Sequence, residues 1–391
     1  MKILYITHKP IYPTIDGGCI AMDSFLRCLL NAETKIDHIC ISTIKHPFKK
    51  ELYPNKIRSK VNIYNHFIDT KVTFLRALTS LFQNGSYKVN RFHCHKLESK
   101  INNELINIKY DCIILESLFT SSYIKTIRSV SQSKIYLRSH NIEHNIRSIS
   151  YKSIFNPINY FLYKLFKDLR KYELKTLSQV DGLLTISEDD KLNFQKLGIK
   201  TPIKNINVAI KAHDYNNDYN SKNIFYLGSL NWKPNIDALN YLINIFPKVK
   251  RYEPLCKLYI AGSFRNNNFK ANQINNIHFD GFVNDIYEYA KNRGILVCPT
   301  ISGSGIRIKI LEMMSIGIPI ITTRLGASGI DNSSQCLIIK DNEEDIVNSI
   351  IELIKNIDLR KKLGKNAIEY IKKNHNIDKI SKELIEFIEK K

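Results

Sequence analysis

Pro299-Thr300-Ile301-Ser302-Gly303-Ser304-Gly305-Ile306-Arg307-Ile308-Lys309-Ile310-Leu311-Glu312 is the stretch from which the rest of the chain is read. It follows the apolar run Ile295–Cys298 and precedes another at 318–321. A strand, a glycine-rich turn, a helix and a second strand in that order are the unit from which parallel sheets with crossover helices are built. Glycines at a helix start let the backbone approach an anion, where free N–H groups and about half a positive charge of helix dipole favour phosphate. A helix beginning near Ser304 places Arg307 and Lys309 in its first turn or so, where cations oppose the dipole unless an anion sits beside them. The plainer alternative is a solvated pair between Lys309 and Glu312, three residues apart, worth about 0.2–0.5 kcal/mol. Glycines, cations and a carboxylate converging on one turn favour a ligand site.

The same rhythm extends outward in both directions. Runs at 224–227, 258–261, 277–279 and 336–339 read as strands, and a helix from Pro234 shows Ile236, Leu239, Leu242 or Ile243, and Phe246 on one side. The polar stretch from His213 to Ser221, rich in Asn and Asp and without apolar period, reads as an interdomain linker. Before it lies an earlier series. Ile3 to Ile6 form its first strand, Met22, Phe25, Leu26, Leu29 and Leu30 mark one helix face, and strands follow at 112–115, 134–137 and 182–186. The expected fold is therefore α/β, with two doubly wound domains whose sheets present their carboxyl ends to a cleft, where open sheets bind ligands. Their expected limits are 1–210 and 211–374. A helix at 375–391, with Ile380, Leu384 and Ile388 at fourfold spacing, is free to pack on either domain.

Length and composition agree with two domains, since 391 residues of which 43% are hydrophobic suffice for two sizeable cores. The 58 Lys and Arg against 37 Asp and Glu leave a net charge of +21, which draws the molecule toward phosphates on nucleic acid or on an anionic membrane. The abundance of Ile, Lys and Asn marks part of that excess as a compositional habit. No stretch approaches the ~18 apolar residues needed to cross a bilayer, and the amino terminus lacks a long apolar region with a cleavage site, so a cytoplasmic location is expected. Eight cysteines without a CxxC pair suit a reducing compartment. His93-Cys94-His95 reads as a loop, because adjacent residues rarely hold a metal without further ligands.

Two stretches of the first domain are both basic and aromatic. Residues 43–110 hold 13 Lys and Arg against 4 Asp and Glu, interleaved with Phe48, Tyr53, Tyr64, Phe67, Phe74, Phe82, Tyr87 and Phe92. Residues 151–175, with Lys164, Lys167, Arg170 and Lys171, have the pattern of an interfacial helix. Aromatics at helical spacing that point inward beneath a solvated basic face are the competing reading.

The first strand leads through His8 to Asp16, Gly17 and Gly18 at a helix start, which suits either a phosphate or a tight turn with Asp16 as N-cap. Glu188, Asp189 and Asp190 sit in a helix first turn, where acids are favoured, rather than in a metal-binding acidic pair.

Together these motifs resemble glycosyltransferases of the GT-B fold, above all the retaining enzymes of glycosyltransferase family 4 (group 1 glycosyltransferases), nearly end to end. The resemblance implies two Rossmann-like domains facing across a cleft. It puts Asp16, Gly17 and Gly18 in the donor-diphosphate glycine loop, and Arg138 to His144 in the histidine loop, with His140 beside the transferred sugar. Asp181 to Glu188 resembles the family's strand and Ser-capped helix before the linker. Phe282 and Val283 match the turn that contacts the nucleotide base, and Glu312 matches the second carboxylate of a Glu-x7-Glu motif, which holds the ribose hydroxyls. Ser304 stands where the first carboxylate belongs. After Gly228, only Lys233 remains of an Arg-plus-Lys pair. A branch of the family reads Gly-Ser-Gly-x-Arg-x-Lys-x-Leu-Glu, as here, so Arg307 and Lys309 supply the positive charge.

The implied catalytic residues are His140, Arg307 and Lys309, and the implied donor-binding residues are Asp16, Gly17, Gly18, Gly228, Lys233, Phe282, Val283, Ser304, Gly305, Ile308 and Glu312, with no metal and no other cofactor. Fixed amides with Arg and Lys can stabilise a departing nucleoside diphosphate without one. The implied activity moves a hexosyl unit from a nucleotide-diphosphate sugar, UDP- or GDP-linked, to a lipid-linked or polysaccharide acceptor in cell-surface glycan synthesis, with retention. The enzyme is expected on the inner face of the cell membrane as a peripheral protein on anionic lipid. The rival readings are a nucleotide-sugar epimerase or inverting transferase on the same fold, with Asp16 or His140 as base, and a basic nucleic-acid-binding protein, disfavoured by the lack of any recognised nucleic-acid module.

Overall fold

The computed structural model describes residues 1–71, 86–145, 157–213, 217–263, 276–303, 305–330 and 333–390. Phe74, Phe82, Ser304 and the start of the 151–175 stretch lie outside the described residues. The chain divides into two compact units, one of Met1–Asn207 with the carboxyl end from Ile380, the other of Val208–Lys379.

The first unit is built on strands β1 (Lys2–Thr7), β2 (Lys35–Ser42), β3 (Val61–Phe67), β4 (Cys112–Glu116), β5 (Lys134–Ser139), β6 (Gly182–Thr185) and β7 (Ile203–Asn205). They pair in parallel in the order β3-β2-β1-β4-β5-β6-β7. Strands covered on both faces need near-continuous apolar runs, and β1 and β4 have them: Ile3 to Ile6 and Cys112 to Leu115 are fully buried. Leu4, Ile6, Ile113, Leu115, Ile135 and Leu137 form one core with Leu97, Ile101 and Leu105 of the helix His95–Asn107. The helix Gly17–Asn31 buries Met22, Phe25, Leu26 and Leu29, as its spacing requires.

β2, β3 and β7 are additions to the strands read from the sequence. β2 carries Asp37 and His38 in its interior, and both are buried with partners distant in sequence: Asp37 accepts from Tyr110 Oη at 2.7 Å and Asn62 Nδ2 at 2.7 Å, and His38 Nε2 bonds Thr7 Oγ1 at 2.9 Å. The carboxyl-terminal helix Ile377–Glu389 buries Ile380, Leu384 and Ile388. Past Ile380 it packs on the first unit, where Tyr136 Oη donates to Ile388 O at 2.9 Å and the Phe387 ring meets Tyr136 at 5.9 Å.

The second unit contains β8 (Ile224–Leu227), β9 (Leu258–Ala261), β10 (Ile277–Gly281), β11 (Ile295–Cys298), β12 (Ile320–Thr322) and β13 (Ile338–Ile339), all parallel, in the order β10-β9-β8-β11-β12-β13. Its helix Lys233–Tyr252 buries Leu242 rather than Ile243 on the face with Leu239 and Phe246. The polar stretch after His213 belongs to this unit: the His213 amide donates to Ser315 O at 2.9 Å and Tyr219 Oη to Gly317 O at 3.0 Å. Its polar groups serve the turn before β12, which is why it shows no apolar period.

In each sheet the strand order reverses direction once, between β1 and β4 and between β8 and β11. Such switch points open a crevice at the carboxyl ends of the strands, where doubly wound sheets bind ligands.

Candidate active site

At the β8/β11 switch point, two backbones meet closely. A Cβ added to Gly262 would lie 1.8 Å from Gly228 O, and one added to Gly228 would lie 3.2 Å from Lys309 Nζ. Glycine at both positions keeps the end of β8 open toward Lys309. The Lys309 ammonium donates to Leu227 O at 2.8 Å, Asn235 Oδ1 at 3.2 Å and Tyr226 Oη at 3.3 Å, and stands 4.5 Å from the centre of the Tyr226 ring. Burial lowers its pKa, and an anion arriving beside it favours the charged form.

The helix carrying Lys309 runs from Ile308 to Ser315, four residues later than the glycine spacing suggests. Gly303 and Gly305 take φ of +95° and +78°, a left-handed backbone that no helix contains, so the turn extends to Arg307 at the N-cap. There the Arg307 guanidinium donates to Gly305 O at 2.8 Å and Ser302 O at 3.4 Å, clasping the turn it closes. Ile308 is buried beneath it. Glu312 is buried as well, and burial lifts its carboxyl to about 7 against a hydrogen bond from the Tyr287 side chain that pulls the other way. Lys309 and Glu312 are therefore not a solvated surface pair.

Other expected donor residues are more dispersed. Lys233 is paired with Asp237 one turn along its own helix, and its side chain is exposed. Asp237 also accepts from Ser302 Oγ at 3.4 Å, which ties that helix start to the glycine turn. Phe282 is 62% exposed, an apolar ring open to a flat partner, and Val283 beside it is half-buried.

In the first unit, the β1/β4 switch point holds a buried ionic network. Arg138 Nη1 donates to Glu116 Oε1 at 2.5 Å, Tyr5 Oη donates to Glu116 Oε2, and His140 Nε2 contacts Glu116 Oε1. Burial alone would raise Glu116, but the charges of Arg138 and His140 outweigh it and hold the carboxyl at about 2. Arg138 Nη1 lies 3.0 Å from the same His140 Nε2, so that nitrogen sits between the carboxylate and the guanidinium. Burial lowers the His140 pKa, against the Glu116 carboxylate that pulls it up.

Seven residues from Lys9, Asp16 caps the helix Gly17–Asn31 through Cys19 N at 2.8 Å and accepts Lys9 Nζ at 2.7 Å. Burial opposes ionisation of Asp16, but the Lys9 ammonium prevails and holds it well below the usual carboxylate range. Gly17 is exposed, and a Cβ on Gly18 would lie 3.1 Å from Lys9 Nζ. Lys9, Glu116 and Asn235 are the site residues that sequence reasoning missed. A carboxylate at the last residue of a buried strand was the signal for Glu116.

Residues 221–356 match the family model described as "Glycosyl transferases group 1". The whole chain is similar in structure to TarM of S. aureus, with a TM-score of 0.72 at 13% identity and all of both chains covered. It is also similar to the sucrose-phosphate synthase of Thermosynechococcus elongatus, with a TM-score of 0.71 at 12% identity, covering 99% of this chain and 98% of that one. Residues 221–356 carry a group 1 glycosyltransferase domain, and the whole chain has the GT-B fold of these structures. An uncharacterized 44.6 kDa protein in the cps region of Klebsiella pneumoniae is 28% identical over 395 residues, 96% of each chain. Gly228, Gly305, Arg307, Ile308, Lys309 and Glu312 all fall within the matched domain, around one strand end and one helix start. His140, Asp16, Gly17 and Gly18 belong to the other unit.

Proposed function

We propose that the glycosyltransferase transfers a hexosyl unit, with retention, from a nucleoside-diphosphate sugar to a lipid-linked or polysaccharide acceptor in cell-surface glycan synthesis. The observation that carries this reading is the helix start at Ile308. Arg307 and Lys309 bring two cations to a glycine turn, and buried Glu312 lies one helical turn beyond Ile308. Cations and amides at such a start stabilise the charge that develops on a departing diphosphate. Glu312, once ionised, accepts two hydroxyl hydrogen bonds from a ribose. Phe282 offers its exposed ring to the base. In the first unit, His140, bonded to Glu116, is the candidate for a hydrogen bond to the transferred sugar.

The relatives support the reading. TarM is described in complex with UDP and α-GlcNAc-glycerol, and the Klebsiella relative lies in a cps region. Among the described residues no helix is long and apolar enough to cross a membrane, so a lipid-linked acceptor is reached through surface contact. Lys167, Arg170 and Lys171, exposed on the helix Pro157–Leu177, provide it.

A thermal-shift screen of UDP, GDP, ADP and CDP tests the donor. A ligand at 100 times its dissociation constant adds about 2.7 kcal/mol of stability, and one nucleotide, UDP or GDP, is expected to stand out. No shift with any of the four would overturn the reading.

A further inference from the structure

The sequence alone offers His93 and His95 no further ligand, and the structure supplies one. His95 opens the helix His95–Asn107, and one turn later Glu98 directs a single oxygen at both rings: His95 Nδ1 lies 3.1 Å and His93 Nε2 3.4 Å from Glu98 Oε2. One ligand atom from each of the three residues lies within 4.8 Å of the others. We propose that His93, His95 and Glu98 bind a divalent transition-metal ion of the Zn²⁺ class.

Geometry and donor chemistry both support the site. A tetrahedral centre with bonds of about 2.0–2.2 Å separates its ligand atoms by about 3.3–3.5 Å, close to the two distances found here. Two imidazoles and one carboxylate select a borderline ion over the hard Mg²⁺ and Ca²⁺, which prefer oxygen shells. The ligands are held from behind as well. Thr126 Oγ1 donates to the other Glu98 oxygen at 2.5 Å, and the His93 ring stacks on Tyr123 with centres 5.6 Å apart. Tyr123 in turn pins the segment, accepting from Cys94 N at 3.1 Å and donating to Phe92 O at 2.7 Å. Such outer contacts orient ligands and raise affinity. A cavity of about 450 Å³ beside His95 and Glu98 leaves room for an exchangeable fourth ligand. The bound ion ties the segment before the helix His95–Asn107 to that helix, and through Thr126 to the helix Ile124–Val130. None of the three ligands belongs to the proposed donor site.

Zn²⁺ titration by isothermal calorimetry of the full-length protein, stripped with EDTA and desalted, tests the site. Cys94 is the rival ligand, with its sulfur 3.4 Å from His66 Nε2. The comparison therefore includes Cys94→Ser beside His95→Ala and Glu98→Gln. The expected result is a single Zn²⁺ per chain in wild type and Cys94→Ser, weakened at least about tenfold in the other two. Zn²⁺ should also raise the melting temperature of wild type but not of His95→Ala, an exposed position whose truncation leaves the fold intact. No stoichiometric binding by wild type, equal binding in every variant, or loss in Cys94→Ser alone would overturn the proposal.

Discussion

Glu116 and Arg138 are register partners on the parallel strands β4 and β5, joined at 2.5 Å with both side chains buried. Arg138 also donates to Ala21 O at 3.1 Å and lies over the Phe25 ring at 4.4 Å, so the pair ties the sheet to the helix Gly17–Asn31. Removing one partner of a buried pair strands the other's charge and costs about 3–5 kcal/mol. Glu116→Ala is expected to lower stability by that amount in urea titration. A loss below about 1 kcal/mol, the range of exposed pairs, would show that the pair is not sealed from water.

Buried histidines set the response to acid. Burial lowers His8 and His38 to about 3 and His375 to about 4, against an ordinary 6.5. Below pH 6.5 the unfolded chain binds protons that these rings refuse, so stability falls with pH, by up to about 1.4 kcal/mol per pH unit for each ring. Glu312 and Glu143 work the other way, because burial raises both to about 7 and the fold gains from protonating them as pH drops toward 4.5. Below 4.5 that compensation ends and Glu116, held at about 2, joins the loss. Urea midpoints should decline gently from pH 6.5 to 4.5 and steeply beneath. A midpoint that stays level below pH 4.5 would contradict the assignment.

How much of this could be read from the sequence depends on the range of the interactions involved. β1, β4, β5 and β11 were legible because uninterrupted apolar residues announce a strand without reference to any partner. β2 was not, since Asp37 and His38 are tolerated only through Tyr110, Asn62 and Thr7, between 25 and 73 residues away. The cations Arg307 and Lys309 were legible from spacing, yet their helix start was misplaced because the left-handed turn at Gly303 and Gly305 has no periodicity. Glu116 escaped for a third reason: a carboxylate closing an apolar strand stands out locally, but its partner is set by the register opposite Arg138, which no local pattern encodes.

Arg307 and Lys309 should act on the leaving diphosphate. Removing one such donor typically lowers kcat by about 10²–10³, and that loss is expected for Arg307→Ala, with KM for the donor changing less. Two fixed cations also make a metal at the phosphates unnecessary, so the rate should withstand excess EDTA. An unchanged kcat in Arg307→Ala would return this side chain to a purely structural clasp of Gly305 and Ser302.

The carboxyl of Glu312, raised to about 7 by burial, gives donor binding a pH signature. Ribose hydroxyls donate to the ionised form, and below pH 7 the free protein holds the acid, which must lose its proton first. Nucleotide affinity should therefore weaken as pH falls below about 7, by up to tenfold per pH unit. Glu312→Gln removes the titrating group, so its affinity should be lower at neutral pH and flat across the same range. Parallel pH profiles for wild type and Glu312→Gln, measured by calorimetry, would exclude Glu312 from the ribose.

Membrane docking rests on where the basic side chains of the first unit point. Tyr53 and Phe92 of the 43–110 stretch are buried in the unit, whereas Tyr64 and Phe67 on β3 are exposed. Lys167, Arg170 and Lys171 lie exposed along one helix with Lys164 half-buried among them. The aromatics thus divide between core and surface, and Lys167, Arg170 and Lys171 remain exposed. Each Lys or Arg near an anionic leaflet is worth about 1 kcal/mol, and the attraction shrinks as the screening length falls from about 10 Å at 0.1 M salt to about 3 Å at 1 M. In sedimentation assays the transferase should bind anionic but not neutral vesicles, release at high salt, and bind more weakly after Lys164, Lys167, Arg170 and Lys171 are changed together to Gln. Failure to sediment with anionic vesicles at low salt would leave the net charge of +21 without a membrane role and direct the search for the acceptor to soluble glycans.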